Sequence, residues 1–182
     1  MTTTPRLLMT EEEFLANYAD ELPSYEFVNG EVTQKPMTKR SHSALARRIS
    51  ARLDAYIGQV GGTGGPEPTV DLSKGSGRHY RVPDVAYWSG AKDTRKPILG
   101  APTLSVEIIS EGQTRGELRE KCHLFRAAGT EVCWLVDPDR RSVEVFDDAR
   151  DGEVLSGQAV LESPHMPGFR LPLPDLFAVL DD

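Results

Sequence analysis

Four residues in this chain carry charge where a core should be. Glu107 stands in 104-LSVEIISEG-112, a stretch that otherwise reads as an apolar β-strand. An ionised carboxylate in a strand core costs several kcal/mol unless something pairs with it. Asp84 lies in 82-VPDVAYW-88, again among apolar residues. On a helical wheel of residues 115–128, Leu118, Cys122, Leu124, Phe125 and Ala128 form an apolar face. Glu117 and Lys121 fall inside that arc, so the helix is expected to point one acid and one lysine at the sheet. A plain alternative is an i,i+4 pair on the helix surface, worth a few tenths of a kcal/mol. Two strand-borne carboxylates and one inward lysine favour a site, because displaced charges cluster where chemistry is done.

The chemistry that suits this set is phosphodiester hydrolysis. Two converging carboxylates repel unless a cation sits between them. Hard ions such as Mg²⁺ take carboxylate and carbonyl oxygens and keep several waters. One water becomes a nucleophile, and the ion stabilises charge growing on phosphate. A nearby lysine holds the water or neutralises the phosphorane.

The elements that must position these residues are legible in part. Thr10 and Glu13 look like a capping box opening a helix over 10–18. The run 25-YEFVNGEVTQKP-36 reads as an N-terminal hairpin turning at Asn29-Gly30. Ser41 is expected to cap a helix over 42–57, with Leu45, Ile49, Leu53 and Tyr56 on one face. The Gly-rich 61-GGTGGPEP-68 lacks a phosphate-loop ending and is expected to be only a turn. Strands are expected at 68–73, 79–88 and 103–109, with a polar loop before the last. A helix over 114–128 stops at Gly129. A strand over 131–137 pairs with 142–147. The remainder is expected to be mostly loop, with a weak strand near 153–162 and a short helix over 174–180. Interleaved helices and strands imply an α/β domain, residues 1–182, with a mixed central sheet flanked by helices.

Bulk properties narrow the classes. The 182 residues fit one domain, and the net charge of −7 argues against general coating of nucleic acid. Positive charge gathers at Lys39, Arg40, Arg47, Arg48 and Arg52. The start, MTTTPRLLMTEEEF, has no long apolar run, so no signal peptide is expected, nor any membrane span, and a cytoplasmic location follows. Cys122 and Cys133 read as reduced core residues, and the four histidines lack zinc spacing.

The motifs in order carry a resemblance. The sequence shows Met9-Thr10-Glu11-Glu12-Glu13-Phe14, Tyr25-Glu26-Phe27-Val28-Asn29-Gly30-Glu31, Pro83-Asp84-Val85 and Glu107-Ile108-Ile109-Ser110. Lys121, Trp134-Leu135-Val136-Asp137-Pro138, Pro167-Gly168-Phe169-Arg170-Leu171 and Leu176-Phe177 follow. Pro83-Asp84, then Glu107 23 residues after Asp84, then a lysine, resembles the PD-(D/E)XK nuclease superfamily, and within it the Uma-type restriction endonuclease family. The resemblance spans nearly the whole chain and implies a restriction endonuclease-like fold. It implies that Asp84, Glu107 and the Ile108 carbonyl hold Mg²⁺ or Mn²⁺. Ile109 stands where the superfamily's lysine usually sits, and Lys121 matches the relocated one. Glu26 matches an N-terminal acid that completes the site, with an exposed hairpin residue as the alternative. The family's helical Asp is Glu117 here, its tyrosine after the lysine is Phe125, and its Glu-Tyr before the tryptophan is Val132-Cys133. His42, Arg48 and Arg52 are candidates for nucleic-acid contact, against a packed histidine and a solvated helix face.

The expected function is DNA endonuclease, as a homodimer so that both strands are cut. The alternatives are an inactive nuclease-fold module that binds nucleic acid or protein, and a metal-dependent phosphatase or nucleotide hydrolase.

Overall fold

A computed structural model describes residues 7–19, 21–35, 39–74, 77–90 and 99–181. After strand β1 (Leu7–Leu8), Thr10 caps helix α1 (Glu11–Asn17): its hydroxyl accepts from the Glu13 amide, and the Glu13 carboxylate returns to the Thr10 amide. Strands β2 (Tyr25–Val28) and β3 (Glu31–Gln34) form the expected hairpin. Asn29 and Gly30 turn it at φ of 47° and 99°, the left-handed pair that a tight hairpin turn requires.

Helix α2 (Arg40–Val60) buries His42, Leu45, Ile49, Leu53 and Tyr56 at helical spacing. It begins at Lys39 without a side-chain cap, so Ser41 lies within its first turn instead of capping it. Its buried stripe already starts at His42, and packing along that stripe sets the start.

The glycine-rich stretch is not merely a turn. Strand β4 (Thr63–Pro66) is the edge of a sheet, antiparallel to β7 (Val85–Trp88). A Cβ on Gly64 would fall 2.7 Å from the Ala86 carbonyl oxygen, so this pairing needs a residue without a side chain. Such a strand leaves no alternation to read.

The expected strand over 79–88 is two strands. After β5 (Val70–Asp71), β6 (His79–Arg81) ends before Val82-Pro83-Asp84, and β7 follows. Pro83 has no N–H for a ladder, which favours a break there. The loop expected before β8 (Leu104–Ile108) falls largely on 91–98, outside the described residues.

Helix α3 (Arg115–Ala128) ends at Gly129, with φ 111°. It carries the chain from β8 to the parallel strand β9 (Val132–Asp137). Strands β10 (Ser142–Phe146) and β11 (Asp151–Ser156) continue antiparallel. The C-terminal region is richer in strands than its prolines suggest: Gly157 turns with φ 61° and β12 (Val160–Ser163) pairs with β13 (Met166–Pro172). Pro167 and Pro172 are tolerated there because β13 pairs on one side only. Helix α4 (Leu173–Phe177) and a 3₁₀ turn (Ala178–Leu180) follow.

Two larger sheets result, ordered β1-β3-β2-β6-β5 and β11-β10-β9-β8-β7-β4, with β12-β13 as a separate pair. The six-stranded sheet is mixed and covered on both faces. Val85, Tyr87, Leu104, Val106, Ile108, Val132, Trp134 and Val136 pack with α2 and the C-terminal Phe169, Leu176 and Phe177. The opposite face packs α3: Leu118 and Cys122 meet Cys133, Leu135 and Phe146, while Phe125 meets Ala86 and Trp88. Cys122 and Cys133 are free and buried, as expected. No described helix is long and apolar enough to cross a membrane.

Candidate active site

The strand break brings the charged residues together. Asp84 lies where the chain leaves the five-stranded sheet for the six-stranded one. Glu107 is on β8, among side chains that alternate: Val106 and Ile108 face α2, so Glu107 faces α3. Lys121 reaches from α3, its Nζ 3.1 Å from Glu107 Oε1 and 2.6 Å from Glu26 Oε1. It also donates to the Val82 carbonyl at 3.0 Å. Glu26, on β2, accepts from the Val82 amide at 3.0 Å and from Arg81 at 2.8 Å. The structure thus brings Asp84, Glu107, Lys121 and Glu26 to one place.

Glu107 is 1% exposed and Asp84 2%. Both Asp84 oxygens are engaged. Oδ1 meets Lys35 Nζ at 2.6 Å, and Oδ2 meets His42 Nε2 at 2.9 Å and the Ile108 amide at 2.6 Å. Ile108 therefore touches the site through its N–H to Asp84.

The electrostatics separate the acids. Burial pushes Glu107 up to about 7, even with Lys121 beside it. Its Oε1 lies within ion-pair distance of Lys121 but makes no aligned hydrogen bond, so burial outweighs the lysine. Burial also acts on Glu26, but the charges of Lys121 and Arg81 outweigh it and hold that carboxyl down at about 2. For Asp84 burial is overcome by the His42 hydrogen bond and the Lys35 charge, which keep it well below the usual carboxylate range. Burial would strip the proton from Lys121, but Glu107 and Glu26 reverse this and raise its pKa. Lys121 is therefore a cation at neutral pH.

One expectation changes, and the α2 candidates take definite places. Glu117 does not face the sheet: its carboxylate accepts from the Thr114 amide and hydroxyl, both at 2.8 Å, and it is exposed. Thr114 and Glu117 form a capping box, and closing it turns the acid back over the helix start. His42 is packed, the alternative weighed against nucleic-acid contact: it is buried against Asp84. Arg48 and Arg52 line a separate hollow with Arg170 and Asp175, where Arg52 donates to the Arg170 carbonyl at 2.7 Å.

Lys35 is the residue that reading the sequence missed. Its signal was present: in a hairpin pairing Glu26 with Thr33, the period of two puts residue 35 on the same face. A cavity of about 430 Å³ opens onto this face, lined by Glu26, Lys35, Arg81, Gln113 and Lys121.

Buried acids and a lysine on a mixed sheet between two helices define a restriction endonuclease-like domain, and known proteins agree. The chain resembles a crystal structure from Anabaena variabilis, a putative nuclease belonging to DUF820, at 25% identity and a TM-score of 0.81. The likeness covers 94% of this chain and 99% of that one. The chain belongs to the Uma2 family, described as putative restriction endonuclease, whose pattern matches residues 11–174. No curated protein matches the sequence.

Proposed function

We propose that this protein is a metal-dependent endonuclease that hydrolyses DNA phosphodiester bonds. Carrying the reading is the convergence of Asp84, Glu107, Lys121 and Glu26, buried beside an open cavity. The family's description and that of the Anabaena variabilis protein support the same class.

The donors suit a hard cation. Glu107 Oε1 is buried with no hydrogen-bond partner, and Asp84 is near enough to disfavour its ionisation. Among the described residues no three His, Cys, Asp or Glu side chains gather at ligand spacing. The ion would therefore rest on Asp84, Glu107, the Ile108 carbonyl and water, a sparse shell that Mg²⁺ or Mn²⁺ accepts. Such an ion supplies a water of lowered pKa and positive charge for the phosphate.

The chain's own residues do the rest. Lys121, paired with Glu107 and Glu26, keeps its proton in the metal-free protein and is placed to neutralise phosphate charge or hold the water. Glu26 and the Val82 carbonyl aim that ammonium. His42 and the Ile108 amide orient Asp84. Arg48 and Arg52 remain candidates for phosphate contact at a distance from the chemistry. Cutting both strands requires two such sites, so the reading includes a homodimer.

A plasmid nicking assay with Mg²⁺ or Mn²⁺ tests this. Wild type should nick, and Glu107→Gln and Lys121→Ala should each be at least roughly a hundredfold slower. Equal rates in all three proteins would overturn the assignment. One observation favours a second reading, an inactive nuclease-fold binding module: Asp84 is already satisfied by protein donors. DNA binding without nicking, and no Mn²⁺ uptake, would establish that reading instead.

A further inference from the structure

Lys35 is the feature that the proposed reaction does not use. It is 9% exposed and follows β3 directly. Its Nζ lies 2.6 Å from Asp84 Oδ1 and 3.6 Å from Glu67 Oε1. Three carboxylates, on Asp84, Glu107 and Glu26, thus meet three cationic groups, on Lys35, Lys121 and Arg81. Each of these three acids has a cationic partner without any metal. Lys121 and Arg81 are tied to Glu26, whereas Lys35 alone among these cations contacts Asp84.

We propose that Lys35 is a displaceable counter-ion of the metal subsite, one that holds Asp84 in the metal-free protein and must leave it when a divalent cation enters. This rests on the metal-dependent reading above. A lysine suits the role, because a compact ammonium on a flexible four-carbon stem moves without carrying its backbone. It has somewhere to go: Glu67 is a second carboxylate within reach, and Lys35 lines the cavity that a phosphate would enter. The site then rests buried with Asp84 already paired, and a cation binds only by winning Asp84 from the lysine. Its affinity is set by that competition as well as by its ligands.

Calorimetric titration of Mn²⁺ alone into the metal-free protein tests the competition. Lys35→Gln keeps a hydrogen-bond donor and loses the charge; Lys35→Arg keeps the charge. Removing one positive charge at contact distance should tighten Mn²⁺ binding at least about tenfold in K35Q, while K35R stays near wild type. Thermal unfolding without metal provides a second readout: K35Q should melt lower than K35R, since only K35Q leaves Asp84 without its charged partner. Equal or weaker Mn²⁺ binding in K35Q, with wild-type binding abolished by Asp84→Asn, would overturn the role of Lys35 and leave the metal reading intact. No Mn²⁺ uptake by any of the proteins would overturn both.

Discussion

Glu107 is a residue whose state changes near neutral pH. Its carboxyl sits at about 7 because burial penalises the ion, against roughly 4.3 for an unfolded glutamate. A raised value in the folded chain means that the protonated form favours folding. That contribution is complete below about pH 4 and is lost as pH rises through 7. Glu26 runs the other way: held down at about 2, it favours folding above about pH 4 and loses this as pH falls toward 2. In metal-free protein, Glu107→Gln should therefore gain on wild type between pH 5 and 8, by up to about 3 kcal/mol at the upper end. Urea unfolding across that range measures it. Parallel curves for the two proteins would show Glu107 ionised throughout. The oddity of Glu107 was legible because a lone acid interrupts an apolar strand. Its missing hydrogen bond was not, since that depends on how Glu26 and Val82 direct the Lys121 ammonium.

At the scale of elements, α3 decides where Lys121 points. The apolar wheel located the helix and the lysine, because Leu118, Cys122 and Phe125 must face the sheet. Glu117 was misread by the same wheel: angle alone ignores that the third residue of a helix can fold back on its cap. Thr114, three residues earlier, was the available signal, the same spacing that gave Thr10 and Glu13. Arg115 and Arg119 add a second anchor by pairing with the buried Glu144 of β10. Because the sheet and Glu144 hold the helix beyond its first turn, losing the cap should weaken the fold without moving Lys121. Thr114→Ala should cost about 1 kcal/mol, and Thr114→Ser should restore most of it. Denaturant unfolding gives the cost, and nicking by T114A at the wild-type rate would separate the cap from the chemistry. A rate falling as far as that of Lys121→Ala would place Thr114 in the site's geometry instead.

At the scale of the molecule, the site joins two sheets that the sequence ran together. Reading 79–88 as one strand hid the break, because Tyr80, Val82, Val85 and Trp88 are apolar on both sides of it and only Pro83 marks the change. Sheet membership is a long-range fact: β6 pairs with β2 and β7 with β8, and neither partner is announced locally. The consequence is mechanical as well as chemical. The N-terminal hairpin carries Glu26, with Lys35 just beyond it, while Asp84, Glu107 and Lys121 belong to the larger sheet and its helix. The small hydrophobic cluster of Phe14, Phe27, Val32 and Tyr80 is separate from the main core, so the ion pairs tie the two sheets as well as form the site. Regions with few buried contacts open below the global unfolding energy. Removing Glu26 cuts its bonds to Lys121, Arg81 and the Val82 amide at once. Native-state hydrogen exchange on Glu26→Ala should therefore show faster exchange at the β2–β3 amides of Phe27 and Val32. Amides of β8 and β9, such as Val106 and Trp134, should keep their protection. Uniform acceleration across both sheets would mean that the hairpin and the central sheet open as one unit, with the site serving no separate tie.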